Sequence, residues 1–82
     1  MKWMITIKLN PQEQAEITAR LADEQAYVKT LMAQGTIEAL YVAADQFHTW
    51  LVMQEESQLR LQQVVESLPL YAYMELEIVV LK

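Results

Sequence analysis

Glu24 occupies an unusual position on the first predicted helix. Ile17, Leu21, Val28 and Leu31 repeat at intervals of four, seven and three residues, so they form one apolar stripe along the helix, and Glu24 lies in its middle. A carboxylate on that face points toward the core. Burial there would disfavour the charged form and raise the pKa of Glu24 toward the working range of a general base. The chemistry predicted for this residue is therefore proton transfer.

A second interpretation of Glu24 is structural. If the residue lies near the edge of the stripe, its side chain can reach solvent or pair with Arg20 or Lys29, which are four and five residues away. Ion pairs of this kind are common on long helices. The pattern alone leaves both interpretations open.

His48 is the only histidine, and the chain has no cysteine. Its titration near neutral pH would suit a proton shuttle, although a single histidine on a strand equally suits a hydrogen-bonded position at a rim or an interface. It has no companion at metal-ligand spacing, so we expect no zinc site.

Several aromatic residues have the character of pocket walls. Tyr41, Trp50, Tyr71 and Tyr73 each combine an apolar ring with a polar tip, which suits a small planar ligand, but the same residues suit a core or a dimer interface. The candidate ligand contacts are Tyr41, His48, Trp50 and Tyr73.

Hydrophobic periodicity predicts the elements that position these residues. Alternation up to Leu9 indicates a first strand, and Asn10-Pro11 then begins a helix that Gly35 ends. Strands follow over residues 36–44 and 47–54, joined by Asp45-Gln46 as a hairpin.

Ser57 caps a second, shorter helix, which must end before Pro69 because proline disfavours helical geometry in the residue that precedes it. Two-residue alternation from Ala72 onward indicates a last strand. The order βαββαβ predicts an α+β, ferredoxin-like fold, a four-stranded antiparallel sheet with two helices on one face. We expect residues 1–82 to form a single domain.

Both faces of the two middle strands are largely apolar. In the second strand, Ile37, Ala39 and Tyr41 are predicted to share one face, and Leu40 and Val42 the other. A monomer would leave one such face in water, and apolar patches of that extent usually mark an interface. We therefore expect a homodimer in which two sheets pack face to face as a dimeric α/β barrel.

Five alanines also share one arc of the first helix. They lie opposite the stripe of Glu24, where small side chains would permit close packing between dimers, but a preference of alanine for helix explains them equally well. These residues are Ala15, Ala19, Ala22, Ala26 and Ala33.

Composition argues against several classes of protein. The net charge is −5 and the six basic residues are dispersed, so binding to a nucleic-acid backbone is not expected. No apolar run approaches the roughly 18 residues that a membrane span needs. The absence of cysteine fits a reducing compartment, and we expect a cytoplasmic protein.

Several short motifs mark the chain: Ala22-Asp23-Glu24 on the first helix, Gly35-Thr36 at its end, and Leu68-Pro69-Leu70 followed by Tyr73-Met74 before the last strand. Through these motifs, the chain resembles the muconolactone isomerase family from Ala22 to about Ile78. The first strand is similar as well. The resemblance implies a small cytoplasmic oligomer of dimeric barrels that acts, without a cofactor, on a lactone by moving a proton and shifting a double bond. It also implies that Glu24 is the proton-transferring residue.

The chain departs from the resemblance in the strand after Gly35-Thr36. The isomerases carry arginines there, whereas this chain has Glu38 and Val42. Two functions are therefore expected. One is an isomerase that acts on a small lactone or related enolisable compound, and the other is a non-catalytic ligand-binding or assembly protein on the same fold.

Overall fold

Four strands form one antiparallel sheet in the computed structural model, which describes all 82 residues. Along the chain, the elements are β1 (Lys2–Leu9), α1 (Gln14–Ala33), β2 (Ile37–Val42), β3 (His48–Gln54), α2 (Gln58–Glu66) and β4 (Met74–Leu81). The strands lie in the order β2-β3-β1-β4. This arrangement confirms the predicted ferredoxin-like α+β fold. Neither helix has both the length and the apolar character that crossing a membrane requires.

The core lies between the sheet and the two helices. Alternate residues of β1 from Trp3 to Leu9 point into it and are almost completely buried. On α2, Leu61 and Val65 are fully buried, because a spacing of four residues places both on the face toward the sheet. Both β1 and α2 therefore bury one apolar face in this core.

The α-helical part of α1 begins later than the sequence predicts. Residues Pro11–Glu13 form a tighter 3-10 turn, and the Gln12 N–H donates to Asn10 Oδ1 at 3.0 Å, so Asn10 caps this turn as expected. The α-helix then runs for 20 residues. It ends at Ala33, and Gly35 follows the cap residue with a φ of +80°, which favours glycine. The Thr36 N–H closes this end by donating to the Leu31 carbonyl at 2.9 Å.

A β-bulge changes which side chains of β2 point toward the helices. Ile37 pairs with Met53, and after the irregularity Leu40 pairs with Leu51, so Ile37 and Leu40 both face the helices. The prediction that Ile37 shares a face with Ala39 and Tyr41 is therefore wrong. Strict alternation does not hold through an inserted residue.

The other sheet face carries no helix. We call it the outer face, and its apolar members include large side chains that remain accessible: Tyr41 is 65%, Val79 48% and Trp50 37% exposed. Strand pairing places these three side chains on one surface together with Met4 and Val52. The predicted two-faced apolar character of the sheet is present in the structure.

The connection between α2 and β4 folds back toward the end of β1. After Pro69 the chain makes a 3-10 turn over Tyr71–Tyr73, in which the Tyr73 N–H donates to the Leu70 carbonyl at 2.9 Å. The Asn10 N–H donates to the Tyr73 carbonyl at 3.1 Å. These two bonds hold the connection beside the start of α1.

Truncation of Leu61 should show that α2 is held by its buried face. Leu61→Ala removes buried methyl groups and leaves a cavity, so it should lower the free energy of unfolding by about 2 to 5 kcal/mol in urea titrations. Leu59→Ala is the matched control, because Leu59 lies on the same helix and is 69% exposed. A loss for Leu61→Ala no larger than that of the control would contradict this description of the core.

Candidate active site

Glu24 is the only charged residue in the buried interior. Its side chain is 8% exposed, and it lies between Ile17 and Leu31, which are each 6% exposed and one heptad away on either side. The predicted stripe is narrower than expected, since Leu21 is 40% exposed. Glu24 nevertheless faces inward, as its position in the stripe predicts.

One oxygen of the Glu24 carboxylate is held by the connection that follows α2. The Leu70 N–H donates to Glu24 Oε1 at 2.8 Å, in a buried hydrogen bond between residues 46 positions apart. Oε2 accepts no hydrogen bond within the chain. Because every side-chain oxygen and nitrogen that is sealed from solvent has a partner, Oε2 must keep some contact with solvent. The carboxylate therefore has one anchored oxygen and one that can accept a proton.

Burial raises the pKa of Glu24 above its ordinary value, because removal from water disfavours the carboxylate. The hydrogen bond from Leu70 acts in the opposite direction, since it stabilises the charged form, but desolvation is the larger effect. A carboxyl group in such an environment can both accept and return a proton nearer to neutral pH than an exposed glutamate can.

The ion pair that the structural interpretation offered for Glu24, with Arg20 or Lys29, does not form. The two side-chain ion pairs of the chain are Lys2 with Glu38 and His48 with Asp45. Neither Arg20 nor Lys29 approaches Glu24 within ion-pair distance, although Arg20 lies one helical turn away.

Arg20 lies instead against the connection that holds Glu24. Its guanidinium carbon is 5.9 Å from the centroid of the Tyr73 ring, a cation–π distance. Tyr73 follows Leu70 by three residues and donates its N–H to the Leu70 carbonyl. Two positions of α1 one turn apart, Arg20 and Glu24, thus both contact the segment from Leu70 to Tyr73.

Tyr73 also lines a cavity with a volume of about 540 Å³. Among the residues that surround this cavity are Lys8 at the end of β1, Glu13 before α1 and Glu75 in β4, so most of its walls are polar. Glu24 is not one of them. Tyr73 therefore contacts both this cavity and, through Arg20, the helix that carries Glu24.

Three of the four candidate ligand contacts lie on the outer face, away from Glu24. Trp50 pairs with Tyr41 and Thr6, and His48 pairs with Lys8, so their side chains point away from α1. Within one chain, only Tyr73 lies on the Glu24 side of the sheet. No group of three or more His, Asp or Glu side chains is close enough to hold a metal ion.

His48 and Asp45 form a small polar cluster at the β2–β3 hairpin. Asp45 Oδ2 lies 2.7 Å from His48 Nδ1, and Asp45 Oδ1 accepts the Phe47 N–H at 2.8 Å. The hydrogen bond from Phe47 contributes most to lowering the pKa of Asp45. The His48 ring stacks on that of Trp50, with centroids 6.4 Å apart. These contacts fit the interpretation of His48 as a hydrogen-bonded residue at the rim of the outer face.

Two participants in the site were not identified from the sequence. The contact of Leu70 is made by its backbone N–H, so it does not depend on residue type, and it joins residues 46 positions apart. Neither property can be recognised in a sequence pattern. Arg20 was noted only as an ion-pair partner for Glu24. Its contact with Tyr73 depends on how the connection folds back.

The chain belongs to the muconolactone delta-isomerase family, whose model matches residues 1–82. Its fold is that of the crystal structure of muconolactone isomerase, with a TM-score of 0.82, 25% sequence identity, and coverage of 99% of this chain and 88% of that one. The predicted family and the isomerase-like character of the fold are thereby confirmed.

A second solved structure shares the fold. It is 5-chloro-2-hydroxyhydroquinone dehydrochlorinase from Burkholderia phenoliruptrix AC1100, in complex with 2,5-dihydroxybenzoquinone. The TM-score is 0.82 at 21% identity, and the match covers 100% of this chain and 94% of that one. No curated protein sequence gives a significant match.

Replacement of Glu24 by glutamine should change how stability depends on pH. Because folding raises the pKa of Glu24, the folded chain binds this proton more tightly than the unfolded one, and stability falls as pH rises from about 4.5 through the raised value. Glu24→Gln removes that loss. Urea titrations from pH 4 to 8 should show the variant gaining stability relative to the wild type across this window.

Glu16→Gln is the matched control, since Glu16 is an exposed carboxylate on the same helix. A stability difference between Glu24→Gln and the wild type that stays constant with pH would contradict the burial of an ionisable group.

Proposed function

We propose that the protein is a cofactor-independent isomerase that moves a proton on a small lactone or related enolisable compound, with Glu24 as the proton-transfer group. The observation that carries the proposal is a buried carboxylate with one oxygen anchored by a backbone amide and the other unpartnered. The family supplies the reaction class, and the geometry of Glu24 supports its role. We also propose, from the absence of cysteine, that the protein works in the cytoplasm.

The proposed reaction is a shift of a double bond. In an unsaturated lactone, loss of a proton from the saturated ring carbon next to the C=C bond that is conjugated with the carbonyl leaves a delocalised dienolate. Return of the proton to the carbon beside the carbonyl moves the double bond by one position. Glu24 takes up the proton in the first step and donates it in the second, so the reaction needs no other reactant.

Anchoring of Oε1 by Leu70 suits this role for a physical reason. A base that must both remove and return a proton benefits from a fixed position, because proton transfer requires an approach within hydrogen-bond distance. The amide of Leu70 restrains the carboxylate without adding a net charge beside it. A cationic partner would instead lower the pKa of Glu24 and weaken it as a base.

A second candidate function is a non-catalytic assembly or ligand-binding protein on the same fold. The bond between Glu24 and Leu70 ties α1 to the connection after α2, so it would be useful without any reaction. The wide apolar outer face also favours assembly. Under this alternative the dimer is the functional unit and Glu24 is a structural residue.

Glu24→Gln should separate these two functions. The amide keeps an oxygen to accept the Leu70 N–H but cannot take up a proton, so the isomerisation of muconolactone, followed by NMR in deuterated buffer, should slow by about 10²- to 10⁴-fold. Glu16→Gln should retain the wild-type rate. A wild type that neither isomerises this probe nor exchanges its protons, or a Glu24→Gln variant with full activity, would favour the assembly function.

We further propose that two copies pack through the outer face. Exposed apolar area of this kind is stabilised by a partner, and a small chain gains stability from burying it. Trp50→Lys should place a charge in the interface and convert the dimer to a monomer in sedimentation experiments. Leu59→Lys, a change at an exposed leucine of α2, should leave the dimer intact. A wild-type monomer at micromolar concentration would refute this interface.

A further inference from the structure

Arg20 and Glu24 have the spacing of an ion pair on α1 but do not form one. They are four residues apart, so they lie on neighbouring turns of one helix face, about 6 Å apart along the axis. Neither belongs to the ion pairs of the chain. Because opposite charges at this spacing attract each other, the position of the guanidinium needs a separate cause.

Tyr73 supplies that cause. The guanidinium carbon of Arg20 lies 5.9 Å from the centroid of the Tyr73 ring, and a cation is attracted to an aromatic face at this distance. The backbone of Tyr73 is fixed on both sides, since its N–H donates to the Leu70 carbonyl at 2.9 Å and its carbonyl accepts the Asn10 N–H at 3.1 Å. The ring is therefore presented to Arg20 from a restrained turn.

Glu24 offers an acceptor to any guanidinium that leaves the ring. The Leu70 N–H occupies Oε1, whereas Oε2 has no hydrogen-bond partner in the chain and keeps some contact with solvent. Glu16 lies one turn before Arg20, but it is exposed, and pairing with an exposed carboxylate gains little. A largely desolvated carboxylate attracts a cation more strongly. Oε2 of Glu24 is therefore the favoured alternative partner of Arg20.

We propose that Tyr73 is a positioning residue, whose ring holds the Arg20 guanidinium and so withholds it from Glu24 Oε2. An ion pair at Oε2 would occupy the oxygen that takes up the proton. It would also stabilise the charged carboxylate and lower the pKa of Glu24. The consequence for catalysis rests on the function proposed above, whereas the restraint of Arg20 does not depend on it.

The other charged groups near Glu24 leave this part to Arg20. Strand pairing directs uncharged side chains of the sheet toward the helices. The phenols of Tyr27 on α1 and Tyr71 in the turn are half-buried and carry no positive charge. The remaining charged residues of the two helices are exposed: Glu16, Asp23, Lys29, Arg60 and Glu66. The position of Arg20 therefore decides whether Glu24 has a cationic partner.

NMR titration of the Glu24 carboxyl carbon tests this restraint directly. Tyr73→Leu removes the aromatic face but keeps an apolar side chain, so the freed Arg20 should pair with Glu24 and lower its pKa from the raised value of the wild type. Tyr73→Phe keeps the ring and should leave the pKa of Glu24 raised. The double variant of Tyr73→Leu with Arg20→Met should also regain the raised pKa, because the cation is gone.

Lys29→Met is the matched control, since it removes a positive charge from an exposed position of the same helix. Combined with Tyr73→Leu, it should not restore the raised pKa of Glu24. An unchanged pKa in Tyr73→Leu would overturn the proposal, because the ring would then restrain nothing. A fall that persists without Arg20 would also overturn it, since water entering the site would then be the cause.

The Leu70 amide resonance shows in each variant whether the bond to Glu24 is kept. Loss of that bond in Tyr73→Leu, with a further rise in the pKa of Glu24, would mean that Tyr73 holds the turn rather than Arg20. This result would overturn the proposal as well.

Rates with muconolactone separate this inference from the proposed reaction. Tyr73→Leu should move the acid limb of the kcat/KM profile to lower pH and reduce kcat by about twofold to fivefold, because an ion pair weakens the base. Adding Arg20→Met should reverse both changes. A wild type that catalyses nothing, with the titrations as expected, would refute the reaction and support the restraint of Arg20. Expected titrations with unchanged rates in an active enzyme would refute the catalytic consequence.

Discussion

The hydrogen bond from the Leu70 N–H to the Glu24 carboxylate links parts of the chain that no other side-chain hydrogen bond joins. On one side is α1, most of which is exposed and which enters the core only along a narrow stripe. On the other is the connection that turns from α2 into β4. The bond requires a carboxylate in the interior and a backbone amide directed at it, and both depend on where Pro69 ends the preceding helical segment. The position of Tyr73, and through it that of Arg20, follows from the same turn.

This arrangement sets the electrostatic character of the site. Burial makes the charged form of Glu24 unfavourable, and a single amide compensates for only part of that cost. A second amide or an ion pair would make a more stable carboxylate and a weaker base. The chain instead keeps its nearest arginine over an aromatic ring. Because its pKa is raised, Glu24 destabilises the folded protein at neutral pH. Such a cost is common where a buried ionisable group serves a function.

The fold was accessible to prediction because each element carries a local signal. Alternation in β1, the cap at Ser57, the glycine at position 35 and the proline at position 69 act within a few residues, and they define the elements and their order. The spacing of apolar residues in α1 also predicted that Glu24 points inward. The bulge in β2 was not predicted, because the position of an inserted residue depends on pairing with β3. The 3-10 turn at Pro11 likewise replaced a helical turn without a distinctive residue pattern.

The site was less predictable than the fold for the same reason. Its contacts join positions 20 and 24 to positions 70 and 73, and the Leu70 contact is made by the backbone, so residue types alone do not reveal it. The aromatic candidates illustrate the opposite problem. Tyr41 and Trp50 have the right chemistry for a pocket, but strand pairing places them on the outer face, where the sheet separates them from Glu24.

A crystal structure of the protein with a saturated analogue of muconolactone, which lacks the ring double bond and so cannot isomerise, would test the account most directly. In muconolactone, one ring carbon loses its proton to Glu24, and the account predicts that the same carbon of the analogue lies about 3 to 3.5 Å from Glu24 Oε2, a distance that permits reaction. The Leu70 N–H should still donate to Oε1. A ligand bound instead in the polar cavity beside Lys8, or on the outer face away from Glu24, would contradict it.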